Sequence, residues 1–469
     1  MTTPTGEAAA PPDGAAVQPR PRPARRALDV LSLRVERADV DTVQRTGHWP
    51  DWLAVDRHAA FDAFEALPGE ANRLYTPYID LRPAQLENAV LATSGAAGPA
   101  STRLPDGADG IVELEDGAIV ASALSEEARA GGVEFASVSD LHARRPERVR
   151  ELLERPSALP ADDKFAQLTR ALWSQGIVLD VPAGVRLARP LIVRWRVDEP
   201  DRAVLSRTIV SLGDGARASL VEEFVPSVPG RIDGGQSLLG GTTEVVLGRG
   251  AELAVASLQE LGPGSVVFQH RTATIGDDAS LHWALAQLGG RLVRSRVDNT
   301  LVGDRSSVEQ VEIVFGGGEQ LFDLTSYTTH VGRDTTGNLL SKGALLDRSR
   351  SYMKGLITIE KSAIGTDSFL GEFGMNLSKA ARAVAIPSLE IDQPDCRRAA
   401  HSSSVGPIDE TQLFYLETRG IPADEARKII VLGFLEPVVA RVPLGDVQDR
   451  LRELLEAKWA AGTVDAAAA

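Results

Sequence analysis

Residues 275–288 read IGDDASLHWALAQL. The first five make a turn: Gly276, two aspartates and a small residue interrupt apolar sequence. From Ser280 onward Leu281, Trp283 and Leu285 alternate with His282 and Ala284. Successive strand side chains point to opposite faces, so this period of two predicts a strand with one face in a core. The pattern returns in VEIVF, where Val311, Ile313 and Phe315 alternate with Glu312 and Val314. It returns again in MKGLITI, where Met353, Gly355, Ile357 and Ile359 alternate with Lys354, Leu356 and Thr358.

The turns keep a rhythm. LGDGA, LGRGA, IGDDA, VGDRS and VGRDT place Gly213, Gly248, Gly276, Gly303 and Gly332 at intervals of 35, 28, 27 and 29 residues. Later turns, near Asp347, Lys361, Lys379 and Pro394, come 14 to 18 apart. A spacing near 14 with a double near 28 is that of solenoid coils, each burying its inner face against the coils on either side. The expected fold is mainly β, a parallel β-helix. A large antiparallel sandwich or barrel could use the same strands and is the rival.

Outward from this core the texture changes. Residues 1–26 are small residues, Pro and Arg, a composition expected to stay disordered. Residues 27–175 are mixed and partly helical. HAAFDAFEAL puts Phe61, Phe64 and Leu67 on one helical face. SDLHARRPERVRELLER reads as one helix capped at Ser139 or Asp140. DDKFAQLTRALWSQG repeats Phe165, Leu168, Leu172 and Trp173 and is expected to stop near Gly176. Residues 176–404 form the strand-rich core, and 405–469 are helical again. There Asp409 and Gln412 resemble a capping box, Gly420 is a natural helix stop, and Pro422 opens the next helix. That helix is apolar through Ile429, Ile430, Val431, Leu432, Phe434 and Leu435; a third carries Val447, Leu451, Leu454, Leu455 and Trp459 on one stripe. Such helices either cap the solenoid or dock a partner.

Bulk properties narrow the function. The 469 residues are 43% hydrophobic and 25% charged, ordinary for a globular protein of two or three domains. A net charge of −15 argues against general nucleic-acid binding. A single cysteine, Cys396, rules out intramolecular disulfides and fits a reducing cytoplasm. No signal-like segment or run of 18 apolar residues is present, so no membrane association is expected.

The familiar catalytic motifs are missing. There is no phosphate loop, no dinucleotide fingerprint, no C-x-x-C, H-E-x-x-H or G-x-S-x-G, and FGGGEQ reads as a turn. His270, His282 and His330 lie among the strands and could converge. Asp304, Glu309 and Glu312 are candidates for the paired acids of a polysaccharide-cleaving β-helix. Cys396 and His401, five residues apart, offer a thiolate and an imidazole suited to iron or an iron–sulfur cluster. Two ligands do not close a site, and from the chemistry alone a buried apolar thiol beside an exposed loop histidine is the favoured reading.

HSSSVGPIDETQLFYLETRGI, residues 401–421, resembles the signature of the SufB/SufD family, subunits of an iron–sulfur cluster assembly complex. Val405, Gly406, Asp409, Gln412, Phe414, Tyr415, Leu416, Arg419, Gly420, Ile421, Gly433 and Phe434 fit its pattern, and AIPSLEI, EANRLYTPYIDL and GIVLDVPAGVRLARPL resemble earlier landmarks. The resemblance spans roughly residues 45–440. It implies a right-handed parallel β-helix between helical terminal regions. His401 stands five residues before Gly406, as in the SufD branch. The positions of the SufB scaffold cysteine and glutamate align with Glu372 and Ala399, and Cys396 falls outside the motif.

By that resemblance the chain is a non-catalytic subunit. It pairs with a SufB-like subunit, binds a SufC-like ABC-type ATPase through its C-terminal helices, and forms a possible homodimer alone. Asp409, Phe414, Tyr415, Arg419, Gly420, Gly433 and Phe434 are its partner-binding candidates. His401, with Cys396 as a second candidate, would face iron or a transient iron–sulfur cluster shared with the SufB-like subunit. Some such complexes carry a reduced flavin, for which this sequence has no signal. A carbohydrate-active β-helix enzyme and a purely structural homodimeric β-helix are the alternatives.

Overall fold

The computed structural model describes residues 29–69, 80–93, 100–155, 159, 161–197, 199–227 and 234–468. The expected tail, and EANRLYTPYIDL except for its last two residues, fall outside these. The N-terminal region supplies α1 (Arg37–Thr46), α2 (Asp51–Ala66), β1 (Val90–Leu91), β2 (Gly110–Glu115), β3 (Ala118–Leu124), α3 (Glu126–Ala130) and β4 (Glu134–Ser137). α4 (Val138–Arg144), α5 (Pro146–Glu154) and α6 (Lys164–Leu172) complete it. SDLHARRPERVRELLER is therefore two helices. Arg145 leaves helical geometry at φ −143 and ψ 66, ahead of Pro146, whose missing N–H suits the first turn of α5. α4 is capped by Ser137 rather than by Ser139 or Asp140, and Gly176 lies in the following strand.

Sixteen strands follow in pairs: β5 (Gln175–Val181) and β6 (Leu191–Arg196), β7 (Arg202–Leu212) and β8 (Arg217–Val225), β9 (Ser237–Leu247) and β10 (Glu252–Gln259), β11 (Ser265–Ile275) and β12 (Ser280–Gln287). The remaining pairs are β13 (Leu292–Leu301) and β14 (Ser307–Gly316), β15 (Leu321–His330) and β16 (Thr336–Leu345), β17 (Arg350–Ile359) and β18 (Asp367–Asn376), β19 (Arg382–Ile391) and β20 (Arg398–Pro407). The odd-numbered strands stack in one sheet and the even-numbered strands in the other. Each pair is one coil of a parallel β-solenoid of about eight turns. Among the described residues pairing is antiparallel only where β2 meets β3 and β4 meets β5, at the start of the stack. The antiparallel sandwich is thereby excluded. At the far end β19 and β20 are the last strands of their sheets. α7 (Glu410–Thr418), α8 (Ala423–Val439) and α9 (Gly445–Ala468) close the chain.

Coil stacking explains the turn rhythm. A Cβ on Gly303 would lie 2.0 Å from the backbone nitrogen of Asp277, and one on Gly332 2.2 Å from the carbonyl oxygen of Gly303. The aspartates that follow Gly276 and Gly303 reach up to the next coil. Asp277 accepts from the N–H of Asp304 at 3.0 Å, and Asp304 from that of Arg333 at 2.8 Å. Gly303→Ala should cost about 1–3 kcal/mol by overpacking this corner, read as a lower urea midpoint with unchanged slope. A shift under about 0.5 kcal/mol would show that the corner yields.

Through most of the stack, short of β19 and β20, both faces of the sheets are largely buried. Leu281, Trp283 and Leu285 line the lumen as the alternation predicts. VEIVF is turned the other way: Val311, Ile313 and Phe315 pack outward against Val431, Leu435, Leu451 and Leu455 of the C-terminal helices. Glu312, level with Leu285, thus faces the lumen. A strand buried on both sides carries apolar residues at both parities, so alternation alone does not name the inner face. On the opposite sheet α2 and α6 cover the outer surface, with Phe61, Phe64, Phe165 and Leu168 against Leu205, Val266 and Phe268.

Candidate functional site

The open end of the solenoid is built by β19 and β20. In β20, Ala399, His401, Ser403 and Val405 are level with Ser368, Leu370, Glu372 and Gly374 of β18. Leu370 belongs to the inner cluster with Leu339, Ile357 and Ile359, so His401 stands on the lumen side of the last coil. No further strand among the described residues covers it, and residues 401–405 are exposed. Long uncovered sheet edges are normally blunted or paired, because their free N–H and C=O groups template another strand.

Cys396 takes a different position. It lies in the turn before β20, half-buried, packing with Leu389 and Ala399 against the inner cluster of Leu339, Ile357, Ile359 and Leu370. Arg397 pairs two coils back with Asp334, and Arg398 pairs with Asp367 of the preceding coil at 2.7 Å, so both arginines are tied to coils beneath them. Among the described residues no three His, Cys, Asp or Glu side chains are grouped to hold a metal ion.

The strand histidines do not converge. His270 points outward and bonds Asp298 at 2.7 Å. His282 lies on the outer face of the other sheet, where burial lowers its pKa against the pull of Glu309. His330 is buried between Thr335 and Ser368, and burial drops it to about 4. The three acids diverge as well. Asp304 caps a corner turn, Glu309 faces Arg441 on the outer surface at 4.0 Å, and Glu312 is inside the lumen. They form no pair flanking a cleft, which removes the geometric basis of the carbohydrate-active reading.

The C-terminal signature divides into exposed and anchored parts. Asp409 caps α7 by accepting from Thr411 N–H at 2.8 Å, and Gly420, at φ +84, ends it. Between these caps α7 has no buried residue. Phe414 is 66% and Tyr415 57% exposed, with the Arg419 guanidinium 5.2 Å from the Tyr415 ring. Gly433 has nothing within 4 Å of a built Cβ. Phe434 is the anchor: Lys342 of β16 donates to its carbonyl oxygen at 2.7 Å and sits 4.5 Å from its ring. Burial, with Arg441 nearby, lowers the Lys342 pKa. Lys342→Met should cost about 2 kcal/mol through the lost charge-assisted bond, with faster proteolytic release of α8 and α9 as the readout. Unchanged cleavage would show that the apolar contacts suffice.

Two buried carboxyls lie at this end of the lumen: Glu312, a candidate by sequence only for carbohydrate chemistry, and Glu372, only an aligned position. Glu312 and Glu372 share one lumen column with Ser341 and Ser403. A glutamate inside an apolar alternation was the available signal.

The fold and its end define a class: a parallel β-solenoid with one end closed, one end open, and a helical tail presenting uncovered aromatic side chains. Residues 195–434, just over half of the chain, match the family model described as SUF system FeS cluster assembly, SufBD core domain, and the chain belongs to that family. It is 28% identical over 336 residues to the iron–sulfur cluster assembly protein SufD of Bacillus subtilis, covering 71% of this chain and 76% of that protein. It is 25% identical over 336 residues to a SufBD family protein of Staphylococcus epidermidis, 71% of each, and 25% over 284 residues to one of Staphylococcus saprophyticus, 61% and 60%. No helix among the described residues is long and apolar enough to cross a membrane.

Proposed function

We propose that this chain is the SufD-type, non-ATPase subunit of an iron–sulfur cluster assembly complex working in the cytoplasm. The observation that carries the reading is the open end: two ten-residue strands, β19 and β20, end their sheets uncovered, with His401 on the lumen side of the last one. A SufB-like subunit would continue the stack there, and a second copy of this chain could take the same place when that subunit is missing. The uncovered α7, backed by α8 and α9, would carry a SufC-like ATPase, which supplies the ATP hydrolysis.

Iron or a nascent cluster is the cargo on this reading. His401 lends an imidazole nitrogen and the SufB-like subunit the thiolate, which fits the lack of a three-ligand group within the described residues. Cys396 packs and does not ligate. The test is co-expression with SufB-like and SufC-like subunits. His401→Ala should leave the complex assembled and abolish cluster maturation, whereas Cys396→Ser leaves maturation unchanged. Normal maturation with His401→Ala would end the His401 role. Failure to co-purify with either partner would end the subunit assignment.

A further inference from the structure

Beneath His401 lies a carboxyl group with no cationic partner. Glu372 is level with Ser403 on the adjoining strand, and His401 is two residues along the same inward-facing row. Parallel strands lie about 4.8 Å apart and two residues span about 6.6 Å, so the two Cα atoms are about 8 Å apart, within the reach of two side chains directed at one ion. Glu372 is 2% exposed and makes no ion pair among the described residues. One carboxyl oxygen, Oε2, accepts from the N–H of Ile386 in β19 at 2.9 Å, which holds the group across the lumen at the last complete coil. Of the inward-facing positions of β18, β19 and β20, Glu372 is the single acidic one.

Among the described residues no positive charge faces Glu372. Its column neighbours are Ser341 and Ser403, and the facing strand β17 contributes Gly355. Lys342 and Lys354 belong to the outer faces, held by Phe434 and by Asp323 respectively. Two coils further in stands Glu312, whose Oε1 has no partner. Burial, with Glu312 adding its charge, raises the Glu372 pKa to about 8, the Ile386 N–H opposing. An arriving cation would be the missing counter-charge.

We infer that Glu372 is a second cation-holding residue of the open end, placed to share with His401 a divalent cation of the ferrous type. The pairing of one imidazole nitrogen with one carboxylate oxygen suits such an ion, and the remaining positions stay free for a partner's ligands. The inference rests on the reading of His401 as the metal-facing residue.

The test uses the purified full chain and cobalt(II) as an optical probe. Wild type should bind weakly with a visible absorption band. His401→Ala should lose the band, and Glu372→Gln should weaken binding at least tenfold, the usual cost of removing a supporting carboxylate. Because Gln is nearly isosteric with the neutral acid, the Glu372→Gln melting temperature should stay unchanged. Wild-type affinity in Glu372→Gln, with binding lost in His401→Ala, overturns the Glu372 inference and leaves the His401 reading standing. Wild-type affinity in both variants, or no binding by wild type, overturns the shared site. A lower melting temperature with unchanged affinity makes Glu372 structural only.

Discussion

Replacing Asp163 with alanine should destabilise the fold by about 3–5 kcal/mol, the cost of stranding buried charge. Asp163 is the N-cap of α6, accepting from Phe165 and Ala166 N–H at 3.0 and 2.8 Å. The same carboxylate faces Arg296 at 3.4 Å, Arg294 at 3.5 Å and the His270 ring at 3.7 Å. Asp298 binds His270 and Arg296 at 2.7 and 2.8 Å, and Asp323 binds Arg294 and Lys354 at 2.8 and 2.7 Å. This buried cluster joins the N-terminal helices to the solenoid wall. Asp163→Asn keeps a capping oxygen, so the difference between the two variants in urea unfolding isolates the charge. A loss below about 1 kcal/mol for alanine, no more than an ordinary cap, would mean that the cluster is not a clamp.

The cluster also sets a pH window. Burial opposes the charged His270, but Asp163 and Asp298 outweigh it and raise its pKa. Its contribution is complete below the unfolded value of 6.5 and fades as pH rises through the raised folded value. Asp163 and Asp298 are held below 3.8 by His270 and the arginines despite burial, so their contribution is present above that value and lost as pH falls through the lowered ones. The clamp is strongest between these limits. His270→Gln should flatten the upper limb of a stability–pH curve, and an unaltered limb would assign it to other groups.

The second large effect concerns binding. On the proposed reading, Phe414→Ala with Tyr415→Ala should weaken capture of the SufC-like ATPase at least a hundredfold, about 2.7 kcal/mol or more, as for central aromatic anchors. Chain stability should change little, since Phe414 and Tyr415 are 66% and 57% exposed and the Tyr415 ring meets only the exposed Arg419 guanidinium 5.2 Å away. Equal capture by the double variant, in pull-down or titration, would move the ATPase contact away from α7.

Much of the fold follows from rules that act over a few residues. Period-two alternation marks Ser280–Gln287 as a strand because side chains alternate with the pleat. Glycine and aspartate mark the corners because stacked coils leave no room for a Cβ and need an acceptor for the next coil's N–H. Asp409 and Gly420 delimit α7 through bonds within one helical turn. His401 was recognisable as a motif position, and Cys396 as a residue outside it.

What such rules leave open is direction and neighbourhood. Whether Val311 or Glu312 faces the lumen depends on α8 and α9, more than a hundred residues later, which bury the outer face. Asp163 and Arg296 meet only because α6 lies across the solenoid wall. Glu372 comes beneath the row of His401 only through the parallel register of β18 and β20, which sets side by side residues about thirty positions apart. Local spacing carries no record of that register; coil-on-coil packing creates it, and with it the open end on which the proposed function depends.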